Sequence, residues 1–167
     1  MYYADASRVC LEPCVPYGWQ FPDEDVFMPS AKGKGLNCFG LLTRTNKLMF
    51  STTTQNINST FVFEYLDRLS FMLEKPTVIV LDNASVHTAK IIQKQRNVWE
   101  ERGLILFYLP PYSPQLNLIE ILWKMLKYYW LKPEDYAEEQ LLFYKITLAL
   151  AAVGSSLNIN FSDLALV

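Results

Sequence analysis

The sequence predicts a mixed α/β fold: a five-stranded sheet flanked by helices, with an antiparallel hairpin at one side and parallel strands at the other. Three observations carry this. In TVIVLDN (77–83), the run Val78, Ile79, Val80, Leu81 is apolar on both faces, as a central parallel strand covered on each side requires. GLNCFGLLT (35–43) and KLMFSTTT (47–54) are strand-like and joined by Arg44-Thr45-Asn46, a hairpin pattern. Helical spacing then alternates with the parallel-strand candidates.

In chain order, Met1 to Ala6 is short, apolar and aromatic, and predicts a first strand that carries Asp5 near its end. Residues 10–35 hold four prolines and the acidic run Asp23-Glu24-Asp25, and read as a long connection before the hairpin. Asn58 opens a helix whose Phe61, Tyr65, Leu66, Leu69 and Leu73 share one face. After TVIVLDN, a helix is expected over about Ser85–Glu101, ended by Gly103. GLILFYLP (103–110) predicts a second buried strand, broken by Pro110. LPPYSPQLNLIEILWKMLK (109–127) stops the chain with three prolines and then starts a helix at once. Its buried stripe is Ile119, Leu122, Trp123, Leu126 and Trp130, which leaves Glu120, Lys124 and Lys127 on the other side and makes both tryptophans core. The last helix is expected from near Pro133, with Glu134, Asp135, Glu138 and Glu139 in its first turns, and stops at Gly154.

The chain has 167 residues, which suits one core and a single domain over 1–167. It is 51% hydrophobic and 19% charged, so it folds rather than staying disordered. A net charge of -2 excludes nucleic-acid binding by bulk positive charge, so any such binding rests on local basic patches or on metal ions. The N-terminus lacks a basic region followed by an apolar run, and the most apolar segment, LLFYKITLALAAVG, is broken by Lys145 and too short to span a bilayer. No secretory signal and no membrane partner are expected. Three cysteines, Cys10, Cys14 and Cys38, fit a reducing compartment. With the only histidine, His87, they sketch a zinc site, but C-x3-C has no matching second pair, and ordinary buried thiols are the better reading.

The chemistry sits in three acids. Ligands of open α/β sheets gather beyond the carboxyl ends of parallel strands, where Asp82 lies. Asp82-Asn83 also suits a turn that caps the next helix, and both uses stay open. Glu120 stands three residues after Asn117, as in a capping box, and has Lys124 at i+4 as an ion-pair partner. Asp5, inside a short hydrophobic strand, is costly unless it is paired, solvated at the strand end or bound to a metal. Three converging carboxylates repel one another. A hard divalent cation such as magnesium relieves that repulsion, and two such ions suit phosphoryl transfer.

LDNASVH (81–87) and LPPYSPQLNLIEILWKMLK (109–127) resemble the second and third catalytic blocks of the DDE transposases of the mariner superfamily, in its bacterial insertion-sequence branch. The separation, 120 − 82 = 38, is close to the spacing usual there. YADAS (3–7) resembles the first block, with Ala6 where a second acid is more common. The Gly18-Trp19 pair and GKGLNCFGLL (33–42) resemble the region leading into the hairpin.

The resemblance implies a ribonuclease-H-like fold and a metal-dependent enzyme that cleaves DNA strands and transfers them in the transposition of an insertion sequence. It makes Asp5, Asp82 and Glu120 the catalytic, metal-holding triad for Mg2+ or Mn2+, two ions in all, with Asp23 in reserve for the first acid. Asn83 and His87 become auxiliary residues that orient water or contact a phosphate, although His87 also reads as a plain surface residue at a helix start. Lys32, Lys34, Lys90, Lys124 and Lys127, with Lys94 and Arg96, are candidates for tracking DNA. The implied partners are double-stranded DNA, as transposon ends and target with a TA dinucleotide, and a second copy in a homodimer. The implied location is the cytoplasm of a bacterial host, at the nucleoid. Helix-turn-helix domains usually precede such a catalytic domain, and here the first strand begins at once. End recognition is therefore expected from another chain or a missing segment. The alternative is a catalytically inactive or domesticated relative that binds DNA or protein. A mononucleotide-binding domain would need a glycine-rich strand-to-helix loop, which the sequence lacks.

Overall fold

The computed structural model describes residues 1–12 and 34–161. Its strands are β1 (Tyr2–Cys10), β2 (Gly35–Leu42), β3 (Leu48–Thr53), β4 (Thr77–Leu81) and β5 (Leu104–Tyr108). They form one sheet in the order β3-β2-β1-β4-β5. β1 is antiparallel to β2 and parallel to β4, and β5 is parallel to β4. The helices are α1 (Ser59–Phe71), α2 (Lys90–Glu101), α3 (Ile119–Met125) and α4 (Glu139–Ala152). The expected mixed five-stranded sheet is therefore present.

The core lies in two layers, one on each sheet face. α1 and α2 cover one face through Val62, Leu66, Ile92 and Trp99, packed on Phe39, Leu41, Ile79 and Leu81. α3 and α4 cover the other through Ile119, Leu122, Trp123, Leu142 and Ile146, packed on Tyr3, Cys38 and Leu42. β2, between both layers, is buried along its whole length. Trp99 and Arg102 of the α2 end both donate to Asp67 Oδ1 of α1, at 3.0 and 2.9 Å, and so join the two helices of one layer.

Turn chemistry fixes the joints. Asn58 Oδ1 accepts the N–H of Phe61 at 2.9 Å and caps α1 as expected. Asn46 closes the hairpin at φ 59, a conformation Asn tolerates, and exchanges two hydrogen bonds with Ile159. Gly103 follows α2 at φ 87, where it serves as the expected helix stop.

Five expectations need correction. β1 runs on to Cys10, because its antiparallel pairing with β2 continues to Gly35. α2 starts at Lys90, not Ser85: residues 85–88 form a turn, and the residue capping α2 is Ala89, so Asp82 does not cap it. β5 is buried on one face only, with Ile105 and Phe107 exposed. It is an edge strand, and α3 and α4 lie over β1, β2 and β3 instead. The helix after Ile119 gives way at Leu126 to a wider turn in which Leu131 N–H donates to Leu126 O at 3.0 Å. The last helix is split: a tight turn over Pro133–Tyr136 precedes α4, with Asp135 accepting the N–H of Lys132 at 2.9 Å.

Candidate active site

The β1–β4 ladder pairs Tyr3 with Val80. That is the last pair of the ladder, and Asp5 and Asp82 each lie two residues beyond it. Asp5 faces α3, where it accepts a hydrogen bond from Trp123, and the charges of both Glu120 and Asp82 act on it. Glu120 lies in the first turn of α3. The three acids named from the sequence are therefore brought near one another at the carboxyl end of β4. A cleft of about 370 Å3 opens there between Asp82, the proline loop 110–114, Asn117 and Glu120.

The electrostatics register the convergence. Burial, with Glu120 and Asp82 adding to it, pushes the Asp5 carboxyl up to about 7. Glu120 is also raised, by burial and by Asp82, with Lys127 opposing. Asp82 is lowered instead, first by its hydrogen bond with His87. His87 Nδ1 donates to Asp82 Oδ1 at 2.6 Å, and the N–H of Ala84 donates to the same oxygen at 3.0 Å. His87 is buried at 1% exposure, so the surface reading of this residue is wrong. Its backbone carbonyl accepts the hydroxyl of Tyr108 at 2.9 Å, and its Nε2 has no hydrogen-bond partner.

Each acid is set by a neighbour from another element. Asp5 Oδ2 accepts the indole N–H of Trp123 at 3.1 Å. Asn117, buried, donates through Nδ2 to the carbonyl of Ala4 at 3.2 Å and leaves its Oδ1 unpartnered. Asn117 thus does not cap α3, where Leu118 precedes the first turn with no side-chain bond. Asn83, exposed, donates to the carbonyl of Leu109 and ties the proline loop to the end of β4. Tyr112 stands fully exposed at the cleft rim, held at φ 56 between prolines. Sequence reasoning missed these tethers. It placed Trp123 in the core, where it is, without the polar use of its N–H. The available signal was the i, i+3 spacing of Glu120 and Trp123, which makes them neighbours on α3.

The basic candidates divide. Lys127 acts on Glu120, whereas no ion pair joins Lys124 to Glu120 among the described residues. Lys90 opens α2, with Lys94 one turn on, both exposed. Lys34 pairs with Glu139 at 2.7 Å, and Arg96 pairs with Glu100 at 3.0 Å. Lys32, Asp23 and Cys14 lie outside the described residues. Cys10 and Cys38 are free thiols, and burial pushes Cys38 up to about 12. A zinc site gains no support from them.

The donor set suits a hard divalent cation: Asp82 and Glu120 line one cleft, and Asp5, raised first by burial, feels the charge of both. As the side chains stand, no three His, Cys, Asp or Glu groups surround a single point among the described residues. Asp82 turns one oxygen toward His87.

A family model described as DDE superfamily endonuclease matches residues 1–142. Among solved structures, the chain is similar to the Mos1 mariner paired-end complex with Mn, at 13% identity and a TM-score of 0.57, over 95% of this chain and 56% of that one. It is similar to the catalytic core domain of BIV integrase at 18% identity and a TM-score of 0.51, over 75% of this chain and 79% of that one. A simian T-cell lymphotropic virus intasome in complex with a PP2A regulatory subunit matches at 16% identity and a TM-score of 0.59, over 82% of this chain and 49% of that one. At these identities the likeness is one of fold, the ribonuclease-H-like core shared by transposases and integrases. The chain spans about half the length of the Mos1 chains it resembles. No curated protein sequence matches it.

Proposed function

The chain belongs to the DDE superfamily of endonucleases, and from that premise we propose that it cleaves DNA strands and joins them to a target in the transposition of an insertion sequence. The observation that carries the proposal is the proximity of Asp5, Asp82 and Glu120, with Asp5 raised in part by the other two and Glu120 in part by Asp82. In this reading those three carboxylates hold Mg2+ or Mn2+, two ions in all; the similar Mos1 mariner paired-end complexes include one with Mn and one with Mg. Asp5, Asp82 and Glu120 would hold such ions, which would supply Lewis acidity toward the attacking and leaving oxygens of a displacement at phosphorus.

The chain's own residues do the positioning. His87 holds Asp82 ionised and oriented, Trp123 holds Asp5, and Asn117 keeps the start of α3 against β1. Water attacks a phosphodiester at the transposon end and releases a 3′-hydroxyl. That hydroxyl then attacks a phosphodiester of the target and expels another 3′-oxygen. No bond to protein forms in either step. Lys124 and Lys127 on the side of Glu120, with Lys90 and Lys94 beyond Asp82, would neutralise phosphates of the bound duplex. Tyr112, exposed at the rim, would offer bound DNA a ring for stacking on a base. A single catalytic domain, acting as a homodimer on paired ends beside the host nucleoid, belongs to the same reading. End recognition then comes from a separate chain or segment.

The second reading is a silent relative that keeps the fold and binds DNA or protein. It is favoured by one observation, that no three ligating side chains surround a single point among the described residues. Supercoiled plasmid with Mg2+ or Mn2+ separates the two. The proposal expects nicking by the natural chain that Asp82→Ala abolishes. Equal nicking by both proteins, or none by either, favours the silent relative.

A further inference from the structure

We propose that Trp123 is a positioning residue for the metal site: its indole N–H fixes which oxygen of Asp5 faces Glu120 and Asp82, and Gly40 is the space that lets it do so. The inference rests on the reading that Asp5 takes part in holding divalent ions.

Trp123 lies on α3 three residues after Glu120, so the two side chains leave the same helix face one turn apart. Its indole is buried at 3% exposure, yet its N–H does not go to a backbone carbonyl. It donates to Asp5 Oδ2 at 3.1 Å, on a strand 118 residues earlier. A buried indole N–H needs a partner, and a carboxylate makes a stronger acceptor than a neutral oxygen. With Oδ2 held by the indole and the Ala6 N–H also bonded to the carboxylate, rotation of the Asp5 carboxylate is restrained. Asn117, three residues before Glu120, fastens the same helix to Ala4. Glu120 is thus flanked by two ties to β1, one just before Asp5 and one on Asp5 itself.

Gly40 completes the arrangement. It is the cross-strand partner of Asp5 on β2. A Cβ built there would come within 3.1 Å of both Trp123 Cη2 and Ile119 Cδ1. The indole therefore lies across the bare backbone of Gly40 on its way to Asp5. A side chain at 40 needs the indole or Ile119 to give by a few tenths of an ångström, whatever its polarity.

The test is Mn2+ binding by the whole chain, read by electron paramagnetic resonance, with thermal melting alongside. Trp123→Phe keeps a ring and removes the N–H; Gly40→Ala keeps the N–H and displaces the ring; Trp130→Phe is the control. The expected result is Mn2+ affinity about tenfold weaker in Trp123→Phe, the equivalent of one hydrogen bond to a charged group. Gly40→Ala should weaken it several-fold, and Trp130→Phe should leave it unchanged. In the Asp5→Asn background, Trp123→Phe should have no further effect on the affinity, because its acceptor's role is already gone. A protein that only lost packing would melt earlier and bind Mn2+ as before; that result, in Trp123→Phe or in Gly40→Ala, overturns the proposal. If Asp5→Asn weakens Mn2+ binding but neither Trp123→Phe nor Gly40→Ala does, Trp123 is excluded and the metal reading stands. If Asp5→Asn binds Mn2+ as the natural chain does, the metal reading fails and this inference with it.

Discussion

Asn117 Nδ2 donates to the carbonyl of Ala4 at 3.2 Å, so the residue three before Glu120 is fastened to the residue just before Asp5. Two segments more than a hundred residues apart in sequence, each carrying a candidate acid, are joined at this point. Asn117→Ala should cost about 1–3 kcal/mol of stability, the usual penalty for a buried hydrogen bond lost. It should reduce plasmid nicking by more than that loss explains, because Glu120 is released from Asp5. Denaturant melts and nicking rates at a temperature where the variant is fully folded check this. A variant that melts earlier but nicks at the natural rate would remove Asn117 from the site.

His87 should matter through Asp82. Its Nδ1–H is the main reason the Asp82 carboxyl lies below its usual range. His87→Phe keeps a ring beside Phe39, whose centroid lies 6.4 Å from the imidazole, and removes the donor. Asp82 then rises toward its ordinary value. The acid limb of the nicking profile should move to higher pH, with the plateau rate also lowered. An acid limb unchanged in position would show that His87 does not control Asp82.

Asp5 gives the opposite sign. Its folded carboxyl is raised from 3.8 to about 7, so between those values the folded chain binds a proton that the unfolded chain has released. Without divalent metal, stability should fall as pH rises through that window and level off above it. Asp5→Asn removes this dependence. The variant should melt higher than the natural chain at pH 8 and about equally at pH 4. Calorimetric melts at the two values check the sign. A natural chain that melts higher than the variant at pH 8 would contradict it.

Much of this was legible in the sequence. The strand Val78–Leu81 and the hairpin about Asn46 announced themselves by apolar runs and turn residues, and both helix-ending glycines are where expected. The three acids were legible because their motifs are local. What was hidden is what joins them. An edge strand such as β5 looks like a buried one when its outward residues, Ile105 and Phe107, are apolar. The turn over 85–88 escaped notice because His87 is drawn inward to Asp82, a contact that helical periodicity cannot report. Trp123 reads as core from its spacing alone, and only the antiparallel register of Asp5 with Gly40 gives its N–H a destination.

The central claim is that Asp5, Asp82 and Glu120 hold divalent ions together. A crystal structure of the chain soaked in Mn2+, with manganese located by anomalous scattering, tests it most directly. The account predicts manganese in the cleft between β4 and α3, coordinated by oxygens of all three acids, with Asp82 still bonded to His87 through its other oxygen. Manganese bound elsewhere, or a cleft in which the three carboxylates share no ion at saturating Mn2+, would contradict it.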